Sequence, residues 1–167
     1  VWWKCKTGLK CHRWYASIIT RTKQSLQTSC PICSKRTVCT CGCVSLFTTH
    51  PRLIIEWNEE KNGSMKEYTV SSQKKVWWKC QTKNQCHQWQ STISHRTRKE
   101  NPTNCPYCSN KLMCKCGCNS LENFSTERLK IELDEQKNGT MRQYSIGSDK
   151  KVWWICSTDK SHVWKAI

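Results

Sequence analysis

A pattern of cysteine and histidine residues that occurs twice constrains the fold of this chain more than any other feature. In each occurrence a histidine follows a cysteine after six residues, and a Cys-Pro-x-Cys motif follows after seventeen more. The first occurrence runs from Cys5 to Cys33 and the second from Cys80 to Cys108. A C-x-x-C turn already holds two thiolates close together, so two further ligands complete a tetrahedral zinc site. We therefore predict one Zn²⁺ ion in each repeat.

The predicted ligands occupy equivalent positions: Cys5, His12, Cys30 and Cys33 in the first repeat, and Cys80, His87, Cys105 and Cys108 in the second. Cys11 competes with His12 for one of these places. The third copy of the motif favours the histidine, because His162 is kept there without a cysteine before it. That copy ends before any C-P-x-C motif, so Cys156 and His162 are predicted to form an incomplete third site.

The rest of the sequence repeats with the same period. A Val-Trp-Trp motif begins at Val1, Val76 and Val152, at intervals of 75 and 76 residues. We interpret the short third copy as a truncation or as part of a longer array, and a half-repeat that caps the array is the alternative. The predicted domains are two full repeats and the beginning of a third: residues 1–75, 76–151 and 152–167.

Four further cysteines remain in each full repeat and could hold a second ion. They are Cys11, Cys39, Cys41 and Cys43 in the first repeat, and Cys86, Cys114, Cys116 and Cys118 in the second. In a straight strand the sulfurs of a C-x-C pair would be about 7 Å apart, which is too far for a shared ion. Gly42 and Gly117 could supply the bend that brings them together. The alternative is that these cysteines are spare thiols or oxidisable pairs.

A disulfide scaffold is another explanation for a chain with fifteen cysteines. The odd total, the retained histidines and the lack of a signal-peptide pattern all oppose it. No apolar run approaches the roughly 20 residues of a membrane-spanning helix. We therefore predict a protein of a reducing intracellular compartment, the cytoplasm or the nucleus, with no membrane partner.

Local patterns predict small zinc-stabilised α+β modules, each made of short β-hairpins and one short helix. Residues 1–5 are rich in strand formers and are predicted to pair with a return strand that begins at Trp14. Because side chains alternate along a strand, Trp3 shares a face with Cys5 and is predicted to be core, whereas Trp2 faces the other way. Each module buries too little apolar surface to fold alone, so zinc must supply much of the folding free energy.

The segment after the C-x-C-x-C motif predicts a short helix and a short strand. Pro51 suits the first position of a helix, and Leu53 and Trp57 lie four residues apart on one helical face, which indicates core packing. An Asn-Gly pair at residues 62–63 indicates a turn, and the residues from 68 to 70 favour a strand. The second repeat predicts the same elements, with a strand over residues 144–146.

Basic residues outnumber acidic ones, with 28 Lys and Arg against 12 Asp and Glu, which gives a formal net charge of +16. An excess of this size attracts polyanions through contacts that weaken as salt rises. Aromatic side chains alternate with basic ones and could stack on unpaired bases. The candidate nucleic-acid contacts are Trp2, Lys4, Arg13, Arg21, Trp77, Lys79 and Arg96. The alternative is that the basic residues form a solvated surface and the tryptophans form the core.

These features predict a non-catalytic zinc-binding protein that binds nucleic acid, or an acidic protein surface, with little sequence specificity. No helix has the spacing of base-reading residues, so contacts to phosphate and to base faces would dominate. Sites with four protein ligands are closed to substrate, and the motifs of P-loop enzymes, metalloproteases and serine hydrolases do not occur in the sequence. We therefore expect no catalytic residues.

The order of the motifs V-W-W-K-C, H-x-W, R-T, C-P-x-C, H-P-x-L-x-x-E-W and K-N-G resembles the probable zinc-ribbon domain family of tandem, treble-clef-like zinc-binding repeats. The resemblance implies the same eight metal ligands. It is weaker in the second repeat, where Leu133 stands in the position of Trp57. Because such arrays are common in large DNA viruses, the resemblance also implies an alternative function, that of a structural component of a viral particle, with a location in the virion.

Overall fold

The computed structural model describes residues 1–23, 28–81 and 86–167, and these form two compact units. The first unit contains the described residues up to 81 together with residues 88–103. The second contains residues 86–87 and 104–167. In the described ranges, no helix has the length and apolar character that crossing a membrane requires.

The first unit consists of two antiparallel hairpins and short helices. Its strands are β1 (Trp2–Lys4), β2 (Arg13–Tyr15), β3 (Lys75–Lys79) and β4 (Gln88–Thr92). Its α-helices are α1 (Ile18–Thr22), α2 (Leu46–Thr49), α3 (Glu59–Asn62) and α4 (Ile93–Thr97). Two 3-10 helices, Pro51–Glu56 and Met65–Glu67, lie between α2 and β3.

The second unit has the same kinds of element. Its α-helices are α5 (Glu127–Glu132) and α6 (Glu135–Asn138), and its strands are β5 (Val152–Ile155) and β6 (Val163–Ala166). Two 3-10 helices, Leu121–Asn123 and Met141–Gln143, complete it within the described residues. The prediction of small α+β modules made of hairpins and short helices is confirmed, whereas the boundaries of the sequence repeats stay a prediction.

The Val-Trp-Trp motif forms the first strand of each hairpin. The second tryptophan of the motif lies opposite a tryptophan of the return strand: Trp3 opposite Trp14, Trp78 opposite Trp89, and Trp154 opposite Trp164. Trp78 has no exposed surface, and Trp3 and Trp154 are half-buried. The predicted alternation of an outward and an inward tryptophan holds in the first two hairpins, where Trp2 is exposed and Trp78 is buried, whereas Trp153 and Trp154 are both half-buried.

In each unit the helical segment of a repeat packs on the Val-Trp-Trp hairpin that follows it in the sequence. Trp57 forms a β-bridge with Trp78, and their rings meet edge to face with centroids 5.4 Å apart. In the second unit Leu133 forms the equivalent bridge with Trp154. The predicted core positions of Trp57 and Leu133 are confirmed, because each is only 4% exposed.

The asparagine of each Lys-Asn-Gly motif fixes this packing. The Asn62 amide donates to the Trp77 carbonyl oxygen at 2.7 Å, and its oxygen accepts from the Trp77 N–H at 2.8 Å. Asn138 makes the same two bonds with Trp153, at 2.7 and 2.8 Å. These bonds satisfy the backbone N–H and carbonyl groups of Trp77 and Trp153 on the side of the strand away from β4 or β6. The motif therefore turns the chain and also connects the helical segment to the strand.

Two local predictions are corrected. The strands predicted over residues 68–70 and 144–146 are single bridges, Ser45 with Thr69 and Ser120 with Ser145. The Ser72 N–H already donates to the Thr69 carbonyl oxygen at 3.2 Å, so a turn ends the extended chain after one pair. The helix predicted after Pro51 is a 3-10 helix in the first unit, and only its equivalent α5 is α-helical.

Candidate metal centres

Four groups of side chains in the described chain have the composition of zinc sites. Two groups contain three cysteines and one histidine, and we call these the mixed tetrads: Cys5, His12, Cys30 and Cys33, and Cys80, His87, Cys105 and Cys108. Two contain four cysteines, and we call these the all-cysteine tetrads: Cys11, Cys39, Cys41 and Cys43, and Cys86, Cys114, Cys116 and Cys118. In every group the ligand atoms lie within 4.8 Å of one another.

The spacing of the ligand atoms fits zinc. With Zn–S bonds of about 2.3 Å, two sulfurs of a tetrahedral site lie about 3.8 Å apart. Neighbouring sulfurs in the tetrads lie slightly nearer than this, at 3.4 Å between the Cys5 and Cys33 sulfurs and 3.0 Å between the Cys39 and Cys43 sulfurs. Soft thiolate donors with one or no imidazole are the ligands of structural zinc, and small outward movements would seat the ion.

The first mixed tetrad is built from a hairpin end and a tight turn. The Cys5 N–H donates to the His12 carbonyl oxygen at 3.0 Å, which places these two residues opposite each other just beyond β1 and β2. The Ser34 N–H donates to the Cys30 carbonyl oxygen at 3.0 Å and closes the C-P-x-C turn. As a result His12 Nδ1 lies 3.3 Å from the Cys33 sulfur.

The second mixed tetrad repeats this arrangement of the histidine. His87 Nδ1 lies 3.6 Å from the Cys105 sulfur and 3.5 Å from the Cys108 sulfur. Burial lowers the pKa of His87, which favours the neutral imidazole that a metal requires. The Tyr107 ring, which takes the place of Ile32 in the first repeat, lies 5.0 Å from the imidazole and helps to bury it.

A glycine bend assembles each all-cysteine tetrad. Gly42 adopts φ +71°, and its N–H donates to the Cys39 carbonyl oxygen at 3.0 Å. The bend brings the Cys39 sulfur within 3.2 Å of Cys41 and 3.0 Å of Cys43. Gly117 has φ +75° in the second repeat. The positive φ is costly for residues with a Cβ atom, so these glycines allow the C-x-C-x-C motif to bind one ion.

Cys11 and His12 do not compete for one position in the structure, because His12 belongs to the mixed tetrad and Cys11 belongs to the all-cysteine tetrad. The same holds for Cys86 and His87. Neighbouring residues that point apart therefore supply two separate sites, and the four tetrads indicate about two zinc ions per repeat instead of one.

Burial and hydrogen bonds between the sulfurs separate the pKa values of the thiols in the second all-cysteine tetrad. Hydrogen bonds from Cys86 and Cys114 lower the pKa of Cys116 to about 6. Burial raises the pKa of Cys86 to about 11, with a further contribution from Cys116, and burial also raises the pKa of Cys118. Four thiolates this close repel one another, so a divalent cation is needed for all of them to ionise together.

The third copy of the motif forms a hairpin without a tetrad in the described chain. The Cys156 N–H donates to the His162 carbonyl oxygen at 2.9 Å, as in the first repeat. The Cys156 sulfur lies 3.1 Å from the Thr158 hydroxyl, and His162 Nε2 lies 3.3 Å from the Asp159 carboxylate. None of the fifteen cysteines, all of which the structure describes, forms a disulfide.

Two of the arginines predicted to contact nucleic acid pack against tryptophan rings. Arg96 is 3% exposed, and its guanidinium carbon lies 5.0 Å from the centroid of the Trp78 ring, while its nitrogens donate to the Glu56 carboxylate and to a backbone carbonyl. Arg21 is half-buried and stacks on Trp3 at 5.0 Å. The flat guanidinium suits a place between two indoles, and nothing in the sequence spacing distinguishes that role from phosphate binding.

The other candidate contacts differ in exposure. Trp2, Lys4, Arg13 and Lys79 are exposed. Trp77 is half-buried, and the ammonium of Lys61 lies 4.1 Å from the centroid of its ring. In the second hairpin Lys79 is therefore open to solvent, but Lys61 covers one face of the Trp77 ring.

Comparison with protein families matches most of the chain to one of them. Three segments, residues 1–36, 53–111 and 130–167, match a family described as "Probable Treble clef zinc finger domain". The segments between them carry three of the four cysteines of each all-cysteine tetrad, so these two sites depend on residues outside the matched segments. None of the curated proteins compared with the chain matches it.

Proposed function

The chain belongs to the family of probable treble clef zinc finger domains, and from this premise we propose that it uses its zinc-stabilised modules to bind single-stranded nucleic acid, with little sequence specificity and without catalysis. The proposed binding surface is one face of the first hairpin. We call it the hairpin platform, and it consists of Trp2, Lys4, Arg13 and Tyr15.

The register of the first hairpin carries the proposal. Trp2 lies opposite Tyr15, and Lys4 lies opposite Arg13. Because side chains alternate along a strand, these two pairs share one face of the hairpin. Trp2 is 73% exposed and Tyr15 is 72% exposed, with ring centroids 5.9 Å apart. Two exposed aromatic rings beside two cations provide stacking surfaces for bases and charges for phosphates.

The platform is a property of the first hairpin and not of the repeat. At the positions of Tyr15 and Arg13 the second hairpin has Gln90 and Gln88. In the third hairpin the ammonium of Lys137 lies 4.7 Å from the centroid of the Trp153 ring. All three hairpins therefore share the fold, but differences in sequence between the repeats leave exposed aromatic and basic side chains together on the first hairpin.

The charge of the loaded protein supports the same partner. Four Zn²⁺ ions bring eight positive charges, and their cysteine ligands lose fourteen protons, so the formal charge of +16 falls to about +10. A net charge of this sign and size steers polyanions to the protein at a rate that falls with ionic strength. Closed tetrads leave no coordination position for a substrate, which supports binding rather than catalysis.

The platform predicts separate losses of stacking and of phosphate contacts. We expect the double variant Trp2→Ala/Tyr15→Ala to bind a fluorescent oligothymidylate at least about tenfold more weakly, because each stacked base contributes about 1–3 kcal/mol. Lys4→Gln/Arg13→Gln should weaken binding and reduce the slope of log K against log salt by about 1.4, since each phosphate contact on a single strand contributes about 0.7. Fluorescence anisotropy over a salt series measures both.

A charge-matched variant makes this test specific. Lys99 and Lys111 are exposed and lie outside the platform, so Lys99→Gln/Lys111→Gln removes the same charge. We expect its affinity to stay close to that of the parent protein. Equal losses in the two charge variants, an unchanged affinity in the aromatic variant, or equally tight binding of polyglutamate would contradict a nucleic-acid platform.

A further inference from the structure

In both full repeats one imidazole lies between the two tetrads. His12 Nδ1 is 3.3 Å from the Cys33 sulfur of the mixed tetrad, and its Nε2 is 3.3 Å from the Cys43 sulfur of the all-cysteine tetrad. His87 is placed in the same way, with Nε2 2.9 Å from the Cys118 sulfur. The arrangement therefore occurs twice, in two segments that differ in much of their sequence.

We propose that this imidazole couples the two zinc ions of a repeat. Nδ1 binds the ion of the mixed tetrad, and the Nε2–H group donates a hydrogen bond to a thiolate ligand of the ion in the all-cysteine tetrad. Occupation of either site then raises the affinity of the other. Each repeat is on this account a two-metal unit that fills as a pair.

The chemistry of the ring sets the direction of the hydrogen bond. A neutral imidazole carries one proton, so a ring that binds metal through Nδ1 must carry that proton on Nε2. If the ring lost this proton as well, the imidazolate could bind one ion through each nitrogen. The second ion would then have five ligands, because the all-cysteine tetrad already supplies four thiolates. The Nε2–H group is therefore a donor, and the Cys43 or Cys118 sulfur is its acceptor.

Burial protects the hydrogen bond between Nε2–H and the sulfur from competition by water. His12 is 2% exposed and His87 is 4% exposed, so water has little access to the rings. Metal-binding histidines commonly give their second N–H to a carboxylate, a carbonyl or a water molecule, and that partner fixes the orientation of the ring. Here the partner is the sulfur of Cys43 or Cys118, which is itself a ligand in the all-cysteine tetrad. The residue that orients the histidine of the mixed tetrad is therefore part of the other site.

The coupling must act in both directions. With zinc bound at Nδ1, the Nε2–H group would be a stronger donor, and its hydrogen bond would stabilise the thiolate form of Cys43. With zinc in the all-cysteine tetrad, Cys43 would stay a thiolate and would hold the imidazole in its metal-binding orientation. Linkage requires the two changes in affinity to be equal.

Replacing both histidines by cysteine tests the coupling while keeping four ligands in every tetrad. In the parent protein, native mass spectrometry during a zinc titration should show mainly zero, two and four bound ions. In His12→Cys/His87→Cys we expect one- and three-ion species to become abundant, with the all-cysteine sites about 10–100-fold weaker in competition with a chelator. His95→Cys, at an exposed position outside the tetrads, is the matched control.

A second measurement does not depend on the variant folding. In the parent protein loaded with ¹¹³Cd, ¹⁵N-edited NMR should show a proton on Nε2 of His12 and His87 that exchanges slowly with water and is coupled to the ¹¹³Cd ion of the all-cysteine tetrad. Independent filling of the sites in the parent protein would overturn the proposal. So would an unprotonated Nε2, or a double variant with unchanged stepwise affinities.

Discussion

Removal of zinc by a strong chelator is expected to unfold both units of the chain. In the first unit a buried cluster is formed by Cys30, Ile32 and Cys39, and two of these three residues are metal ligands. In the second unit a buried cluster is formed by Leu133, Met141 and Val152. The first unit also buries apolar side chains around Trp57 and Trp78. Modules this short still bury little apolar surface for the conformational entropy they lose, whereas a structural zinc ion contributes about 10–16 kcal/mol in isolated fingers.

Two signals should change together on chelation. The near-ultraviolet circular dichroism of the packed tryptophans should disappear and return when zinc is added back. Alkylation should modify Cys156 in the loaded protein, since this cysteine lies outside the tetrads, and should modify all fifteen cysteines after chelation. A chelated protein that kept its tryptophan signal, or a loaded protein in which most cysteines reacted, would show that zinc does not hold the fold together.

Truncation of Trp78 is expected to cause the largest loss of stability from a single substitution outside the tetrads. Its side chain is fully buried, the Arg96 guanidinium stacks on it, and its indole N–H donates to the Ser91 carbonyl oxygen at 3.2 Å. Trp78→Ala removes the surface on which the helical segment of the first repeat packs. We expect the free energy of unfolding to fall by about 3–5 kcal/mol in urea titrations at saturating zinc.

The chain offers a matched control for this substitution. Trp2 precedes the equivalent position in the first hairpin and is 73% exposed. Trp2→Ala should change the free energy of unfolding by less than about 0.5 kcal/mol. Similar losses in the two variants would contradict the burial of Trp78 and the exposure of Trp2 that the structure describes. A stable Trp2→Ala variant would also show that any loss of nucleic-acid binding comes from the surface and not from unfolding.

Much of this architecture follows from the sequence, because short-range chemistry determines it. A C-x-x-C turn, a glycine between cysteines and a strand of alternating tryptophans each impose a local geometry that holds in the folded protein. The period of the repeat then places the same geometry twice. The zinc-finger fold and the hairpins were therefore predictable, and so were the bends at Gly42 and Gly117 that the all-cysteine tetrads require.

The sequence grouped His12 with the first site and Cys11 with the four further cysteines, but whether those cysteines meet depends on the bend at Gly42. Two other features depend on contacts between distant residues, and the sequence did not indicate them. The burial of Arg96 depends on Glu56, forty residues earlier, and on two tryptophan rings. The docking of each helical segment depends on an asparagine that also forms an ordinary turn signal.

The number of zinc ions bound to the purified chain tests the central claim most directly. Native mass spectrometry of protein purified with zinc and without chelator should show four ions in each 167-residue chain, two for each full repeat. Cys41→Ser/Cys116→Ser, which removes one ligand from each all-cysteine tetrad, should bind fewer. A parent protein that holds only two ions, with the eight further cysteines reacting as ordinary thiols, would contradict the four-site account.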